Sequence, residues 1–365
     1  MSALRVGGLG LLALAFTACG DISGPELVAG VNLDELFAQP SESEINATLG
    51  DWASRDVSAQ NVDTAANVVD TVGLSTQVTV RVVSHTVDGE RHFGAIVVPV
   101  GATAGSLPLL LIGHPGDSGI DLDQSLTLLA FGLSSALSDY VLVIPSFRSE
   151  ALVFKGVRYT SEGMASPWDG DVDDALALLN VAIATTPEAD TIRIGALGIS
   201  RGATVGLLAA IRDPRIAAVV EFSGPTDFFG PFVRGLVKDA LLGSPSDLPG
   251  VASLDAQFIQ PLARGVFTIA AVRSQLVRRS PVYFVQYLPA VQLHHGTADS
   301  LVPVSEAQRL IAVMQAAGRV PPTFESYLYE GGGHDPTTLP GSLDRAAAFL
   351  QEQLATVPAL ARAAH

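Results

Sequence analysis

Cysteine is almost missing from this chain: one residue, Cys19, in 365. A lone thiol cannot staple a fold, so stability must come from a packed core, for which the length is ample. Lysine is scarce too, limited to Lys155 and Lys238, and the net charge is −16. Such an acidic surface repels phosphate backbones and argues against nucleic acid as a partner. Aromatic residues make up only 6% of the chain, while Ala, Leu, Val and Gly are plentiful. That balance fits interleaved helices and parallel strands better than a small aromatic-rich β domain. Repeats and low-complexity tracts are absent. His, Cys, Asp and Glu nowhere stand at metal-ligand spacing, so neither a metal nor another cofactor is implied.

What is present begins at the N-terminus. Arg5 precedes the apolar run "VGGLGLLALAF", which is too short to span a bilayer, and Thr17-Ala18-Cys19 follows. Residues 1–19 therefore read as a signal peptide. Phe16-Thr17-Ala18-Cys19 resembles the bacterial lipobox, which implies lipidation at Cys19 and a membrane anchor; a plain secretory signal is the other reading. Residues 20–75 are polar and rich in small side chains, with modest helical periodicity, and read as a tether and weakly structured lead-in.

From Gln77 the pattern turns to period two, and two alternating runs meet at Asp88-Gly89, a hairpin signal. Beyond it, strand and helix alternate. "LPLLLIG", "YVLVIPSF", "DTIRIGALG", "RIAAVVEFSG" and "AVQLHHG" are apolar runs suited to strands covered on both faces. Helical spacing recurs between them, as in "GDVDDALALLNVAIAT" and "RGATVGLLAAIRD". The alternation breaks over about 225–280, where amphipathic pieces such as "GPFVRGLVKDALLG" appear. The expected fold class is α/β, a mostly parallel doubly wound sheet over 76–357 with a helical lid or packing insertion at 225–280.

One bend in this pattern carries chemistry. Gly198-Ile199-Ser200-Arg201-Gly202 lies where strand turns to helix, and the spacing has a steric cause. A nucleophile elbow strains the serine backbone and leaves room only for small residues two positions to either side. A dinucleotide-type turn would need Gly-x-Gly-x-x-Gly, which Gly195, Gly198 and Gly202 do not match. A purely structural turn is set aside by two later residues. Asp299 follows the strand "AVQLHHG", and His334 sits in the glycine-rich loop "YEGGGHD". Ser200, Asp299 and His334 then form a nucleophile, acid and base in the chain order of the α/β hydrolases. Asp227 is a second candidate acid, though the Gly-Thr-Ala-Asp context favours Asp299. His294 and His295 at a strand end read as structural, and His85 and His92 lie in the early hairpin.

The oxyanion hole would use the backbone N–H of Arg201 at the helix start. A second donor must come from the loop Gly113-His114-Pro115-Gly116-Asp117. Pro115 has no N–H, which leaves Gly116, Asp117 or a side chain from elsewhere.

From about Gln77 to Leu354 the chain resembles α/β-hydrolase catalytic domains of the prolyl oligopeptidase family and its dienelactone-hydrolase and acetyl-esterase-like relatives. The blocks "ADTIRIGALGISRGATVGLLAAIRDPRIAAVVEFSG", "HHGTADSLVPVSEAQRLIAVMQAAG" and "YLYEGGGHD" carry that resemblance. It implies a serine hydrolase acting on a small ester or peptide substrate through an acyl-enzyme, as a peptidase or a carboxylesterase. Arg148, in "PSFRSE", stands where such enzymes often place a site arginine; a surface salt bridge is its other reading. Two departures matter. Ala203 replaces a second glycine after the elbow, and the lead-in is too short for the β-propeller that screens peptides in true prolyl oligopeptidases.

Overall fold

The computed structural model describes residues 24–73, 76–133 and 135–355. The signal-peptide expectation and Cys19 lie outside the described residues. The apolar runs form a nine-stranded sheet: β1 (Gln60–Val72), β2 (Thr76–Val87), β3 (Glu90–Pro99), β4 (Leu107–Gly113), β5 (Val141–Pro145), β6 (Ala189–Ile199), β7 (Ile216–Phe222), β8 (Ala290–Gly296) and β9 (Phe324–Tyr329). Their spatial order is 1-2-3-5-4-6-7-8-9. The first three strands and the β3–β5 pair are antiparallel, and every pairing from β5 to β9 is parallel. The longer helices are α1 (Glu42–Ser54), α2 (Leu122–Gly132), α3 (Gly170–Thr185), α4 (Arg201–Arg212), α5 (Pro231–Leu241), α6 (Ile269–Val277), α7 (Ser305–Ala316) and α8 (Ser342–Ala355).

The alternation of the central strands explains why their sequences read as unbroken apolar runs. Leu109 and Leu111 of β4 enter one core with α3 and α4, whereas Leu110 and Ile112 enter the other with α2 and α8. Both faces are covered, so both parities must be apolar. At the antiparallel end, Asp88 and Gly89 take φ values of 53° and 82°. Two left-handed residues are what a two-residue hairpin twisting with its strands requires.

The lead-in differs from the tether expected over 20–75. Ser41 caps α1 and Glu44 returns a bond to the Ser41 backbone, a reciprocal capping box that nucleates the helix. β1 pairs along β2 as the outer edge of the sheet. Its side chains are mostly exposed on both faces, so it shows no period-two apolar pattern to read.

The same segment straps the 225–280 insertion. Arg234 of α5 binds Glu26 and Asp34 at 2.6 and 2.7 Å, and Lys238 binds Glu26 at 2.7 Å. Arg273 of α6 is buried; it pairs with Glu44 at 2.6 Å and donates to the carbonyl oxygens of Glu35, Leu36 and Ala38. Arg273 thereby supplies donors to Leu36 O and Ala38 O and shares Glu35 O with the Ala38 N–H. Its removal takes those donors away and leaves Glu44 without its cationic partner. Arg273→Ala is expected to cost about 2–3 kcal/mol of stability, seen as a lower urea midpoint, with Arg273→Lys recovering only part.

Candidate active site

The elbow is built by three glycines from two strands and a helix. Ser200 sits between β6 and α4 at φ 55° and ψ −119°, a strained conformation for a residue with a side chain. Its N–H donates to Phe222 O on β7 at 2.7 Å, which anchors the bend to the neighbouring strand. A methyl group on Gly198 would lie 2.2 Å from Gly202 O, and one on Gly202 would lie 2.1 Å from the Gly113 carbonyl carbon. Backbone therefore packs on backbone at all three positions. Gly113, at the end of β4, was not among the glycines the spacing singled out, because its partner is ninety residues away in the chain.

On the far side of the sheet's centre, the loops after β8 and β9 are joined. Ala298 N donates to Gly332 O at 2.9 Å, and Gly331 N donates to Thr297 Oγ1 at 2.9 Å. Gly296 permits this approach, since a methyl group there would lie 2.2 Å from Gly332 O. Within the joined loops His334 Nδ1 donates to Asp299 Oδ2 at 2.7 Å. Asp299 also accepts the N–H groups of Leu301 and Val302 at 2.9 and 3.0 Å. Burial pushes its carboxyl up, but the His334 bond and the two N–H groups together hold it below its ordinary value.

The competing residues are otherwise engaged. His294 bonds Tyr329 Oη and Gln292 Oε1, both at 2.8 Å, and burial lowers it to about 3. His295 bonds Val302 O at 2.9 Å and lies 3.4 Å from Asp299, supporting the acid from behind. Asp227 accepts from Tyr283 Oη, Arg309 and the Phe229 N–H, so it braces the start of the insertion. Arg148 is held by Asp174 at 2.7 Å and is not among the residues lining the cavity over Ser200, so of its two readings the ion pair is the one found, with a buried rather than a surface partner.

The loop after β4, the candidate oxyanion loop, is fixed by the side chain next to Ser200. Arg201 is fully buried beneath Ser200; its Nε and Nη2 meet Asp171 at 2.7 and 2.8 Å, and its Nη1 donates to Gly116 O at 3.0 Å and to Glu150. Phe147 stacks under the guanidinium at 4.9 Å. Burial raises the Glu150 carboxyl to about 7, with Arg201 opposing the shift. Burial and then Arg201 lower His114, on the same loop, to about 4. Asp117 accepts the Gly250 N–H at 3.2 Å, which latches the loop to the insertion. Asp171 and Glu150 escaped the sequence reading because nothing in their local patterns reports that they share one buried guanidinium, which His114 approaches only through Glu150 at 3.6 Å.

Ser200, Arg201, Gly116 and His334 all line one cavity of about 290 Å³. Most of its wall comes from the insertion, including Phe228, Val233, Val237, Leu254 and Ile259. A hydroxyl on a strained bend, a carboxylate-oriented imidazole and a helix start converge on it, an arrangement suited to acyl transfer. Among the described residues no group of three or more His, Cys, Asp or Glu side chains is placed to hold a metal ion.

No family model and no curated protein matches the sequence. Solved structures do. Acetyl xylan esterase 1 from Thermoanaerobacterium sp. superposes with a TM-score of 0.55 at 19% identity, covering 86% of this chain and 93% of that one. An acetyl xylan esterase from Paenibacillus sp. gives 0.54 at 16% identity, covering 90% and 96%. A puromycin-hydrolysing peptidase of Mycobacterium tuberculosis gives 0.52 at 15%, covering 79% of this chain and 45% of the peptidase. The chain has the α/β-hydrolase fold.

One buried acid of this α/β-hydrolase chain lies beside the elbow and was not singled out in advance. Glu221 neighbours Gly198 across the β6–β7 pairing, and the only prior signal was a charge inside an apolar strand. Its Oε2 accepts the Gly224 N–H at 3.0 Å, and its Oε1 has no hydrogen-bond partner among the described residues. Burial pushes the carboxyl up to about 8, offset in part by Gly224. The folded state thus keeps a proton that the unfolded chain releases near 4.5, so the contribution of Glu221 to stability falls as pH rises from about 4.5 to about 8, while the lowered His114 and His294 act in the opposite direction up to about 6.5. The difference in urea midpoint between Glu221→Gln and the wild type should therefore shift in favour of the variant as pH rises across that interval.

Proposed function

We propose that this chain is a serine hydrolase that cleaves an ester or amide bond through an acyl-enzyme, with Ser200 as nucleophile, His334 as base and Asp299 as its orienting acid. The observation that carries the reading is the 2.7 Å His334–Asp299 bond facing the cavity that also receives the strained Ser200. Hydrolases among structures of similar fold agree with it at that coarse level.

In this reading Asp299 fixes the proton on His334 Nδ1 and so directs Nε2 at the serine hydroxyl. Nε2 takes the Ser200 proton while Oγ bonds to the substrate carbonyl carbon. The resulting oxyanion is received by the N–H of Arg201 at the start of α4, with Gly116 as the second donor. Collapse breaks the bond to the leaving oxygen or nitrogen, which departs with the proton from His334. Water then gives a proton to Nε2 and attacks the acyl carbon; the acid leaves and Ser200 regains its proton. The strain at Ser200 presents Oγ without a search through rotamers and backbone states.

A fluorophosphonate probe should label the wild type and leave Ser200→Ala unlabelled. Turnover of a p-nitrophenyl ester should fall about ten-thousandfold in Ser200→Ala and about a thousandfold or more in Asp299→Asn. Equal labelling of Ser200→Ala would sink the assignment.

We also propose that the chain is exported and anchored through Cys19, on the strength of Arg5, the apolar run after it and the Phe16-Thr17-Ala18-Cys19 sequence. Expressed in a bacterial host fed an alkyne fatty acid, the wild type should carry the label and Cys19→Ala should not. Unchanged labelling of Cys19→Ala would reject the anchor.

A further inference from the structure

Most of the cavity wall is hydrocarbon, and the helix that supplies much of it is held from outside. Phe232, Val233, Leu236, Val237 and Ala240 of α5 all line the cavity, at the i, i+1, i+4, i+5 and i+8 positions of one helical face. The cationic residues of the same helix, Arg234 and Lys238, are held by Glu26 and Asp34 of the N-terminal strap. Arg273 ties α6 to that strap as well. Behind α5 the wall continues through Trp168 and Phe228, whose rings meet edge to face at 5.0 Å. Beyond the proposed catalytic groups, the polar side chains on the lining are Ser246, Asp255 and the indole of Trp168; Asp255 is engaged by Gln260 at 3.0 Å, and Trp168 Nε1, which has no hydrogen-bond partner among the described residues, is a single donor in an otherwise apolar wall.

Orientation follows from where the proton must go. A base that has taken the serine proton gives it to the leaving atom, so the leaving group lies beside the histidine. His334 is partly exposed and shares its side of the cavity with Leu301, itself 43% exposed. The leaving group therefore sits toward solvent, and the remainder of the substrate, the acyl group, faces α5, Trp168 and Phe228.

We propose that this insertion-walled cavity is an acyl pocket, and that the preferred substrate is an ester of an uncharged, medium-length aliphatic acid rather than an acetylated sugar. The proposal rests on the serine-hydrolase reading above. A sugar hydroxyl pressed against this wall would lose its hydrogen bonds to water and find few replacements. Either charge would lose its hydration against this wall, and an anionic acyl group would in addition be repelled by a strongly acidic protein. An acetyl group leaves most of the wall uncovered. A volume of about 290 Å³ lies at the small end of ligand cavities, which run roughly 300–1,000 Å³, so a long fatty chain does not fit inside.

The test is a series of p-nitrophenyl esters from acetyl through butyryl, hexanoyl and octanoyl to palmitoyl, with active enzyme counted by fluorophosphonate labelling. kcat/KM should rise about fourfold per added methylene over the early members and fall at palmitoyl. Ala240→Trp, and separately Val237→Phe, should lower the octanoyl-to-acetyl ratio at least tenfold, with a thermal melt confirming that each variant is folded. A matched series of acetate esters of longer alcohols should show no comparable gain. Acetyl preferred over hexanoyl, a ratio that neither folded variant moves, or a rate that follows alcohol length alone would each overturn the acyl pocket. In all three cases labelled Ser200 would leave the hydrolase reading standing; failure to label would remove both.

Discussion

The site depends on a contact between backbones. Gly113, Gly198 and Gly202 meet where β4, β6 and α4 converge, and a methyl group on any of them would overlap main-chain atoms of another. This contact lets the strand ends and the helix start lie close enough for the loop after β4 and Ser200 to line one cavity. It also explains why the strain at Ser200 is tolerated. The bend is held on one side by Phe222 O and on the other by a helix with no room to withdraw.

Around that contact, arginine does the organising in a chain with little lysine. Arg201 presents a planar fork of donors to Asp171, Glu150 and the Gly116 carbonyl together. An ammonium has three donors where these contacts use four bonds, and it lacks the planar fork that meets both oxygens of Asp171. Because the same residue is the first of α4 after Ser200, its side chain and backbone couple the start of that helix to the loop after β4. Arg273 plays a similar part at the periphery, where it joins the strap to the insertion. The insertion is thus continuous with the N-terminal segment on its outer side and, through Asp117 and Gly250, with the loop after β4 on its inner side.

Legibility in the sequence followed the range of the interactions. The hairpin at Asp88-Gly89, the doubly covered strands and the elbow spacing are local patterns, and each was readable. Asp299 and His334 were readable because short loops after adjacent strands leave few places for them to be. The strand Gln60–Val72 was not, since an edge strand wet on both faces has no apolar parity. Arg148 stayed open between two readings for a related reason: a guanidinium beside a strand end has the same local sequence whether it faces a cavity or a buried Asp174.

By itself, then, the sequence determined the order of elements, the elbow and the chain order of its three candidate catalytic residues. Those depend on backbone sterics and on apolar period, which act over a few residues. Only the tertiary structure decided which glycine faces Gly202, which carboxylates share Arg201, how α5 turns its apolar face to the cavity, and that the N-terminal segment braces it from outside. These are contacts between residues tens to hundreds of positions apart. Burial and charge pairing select them only once the sheet has brought them together.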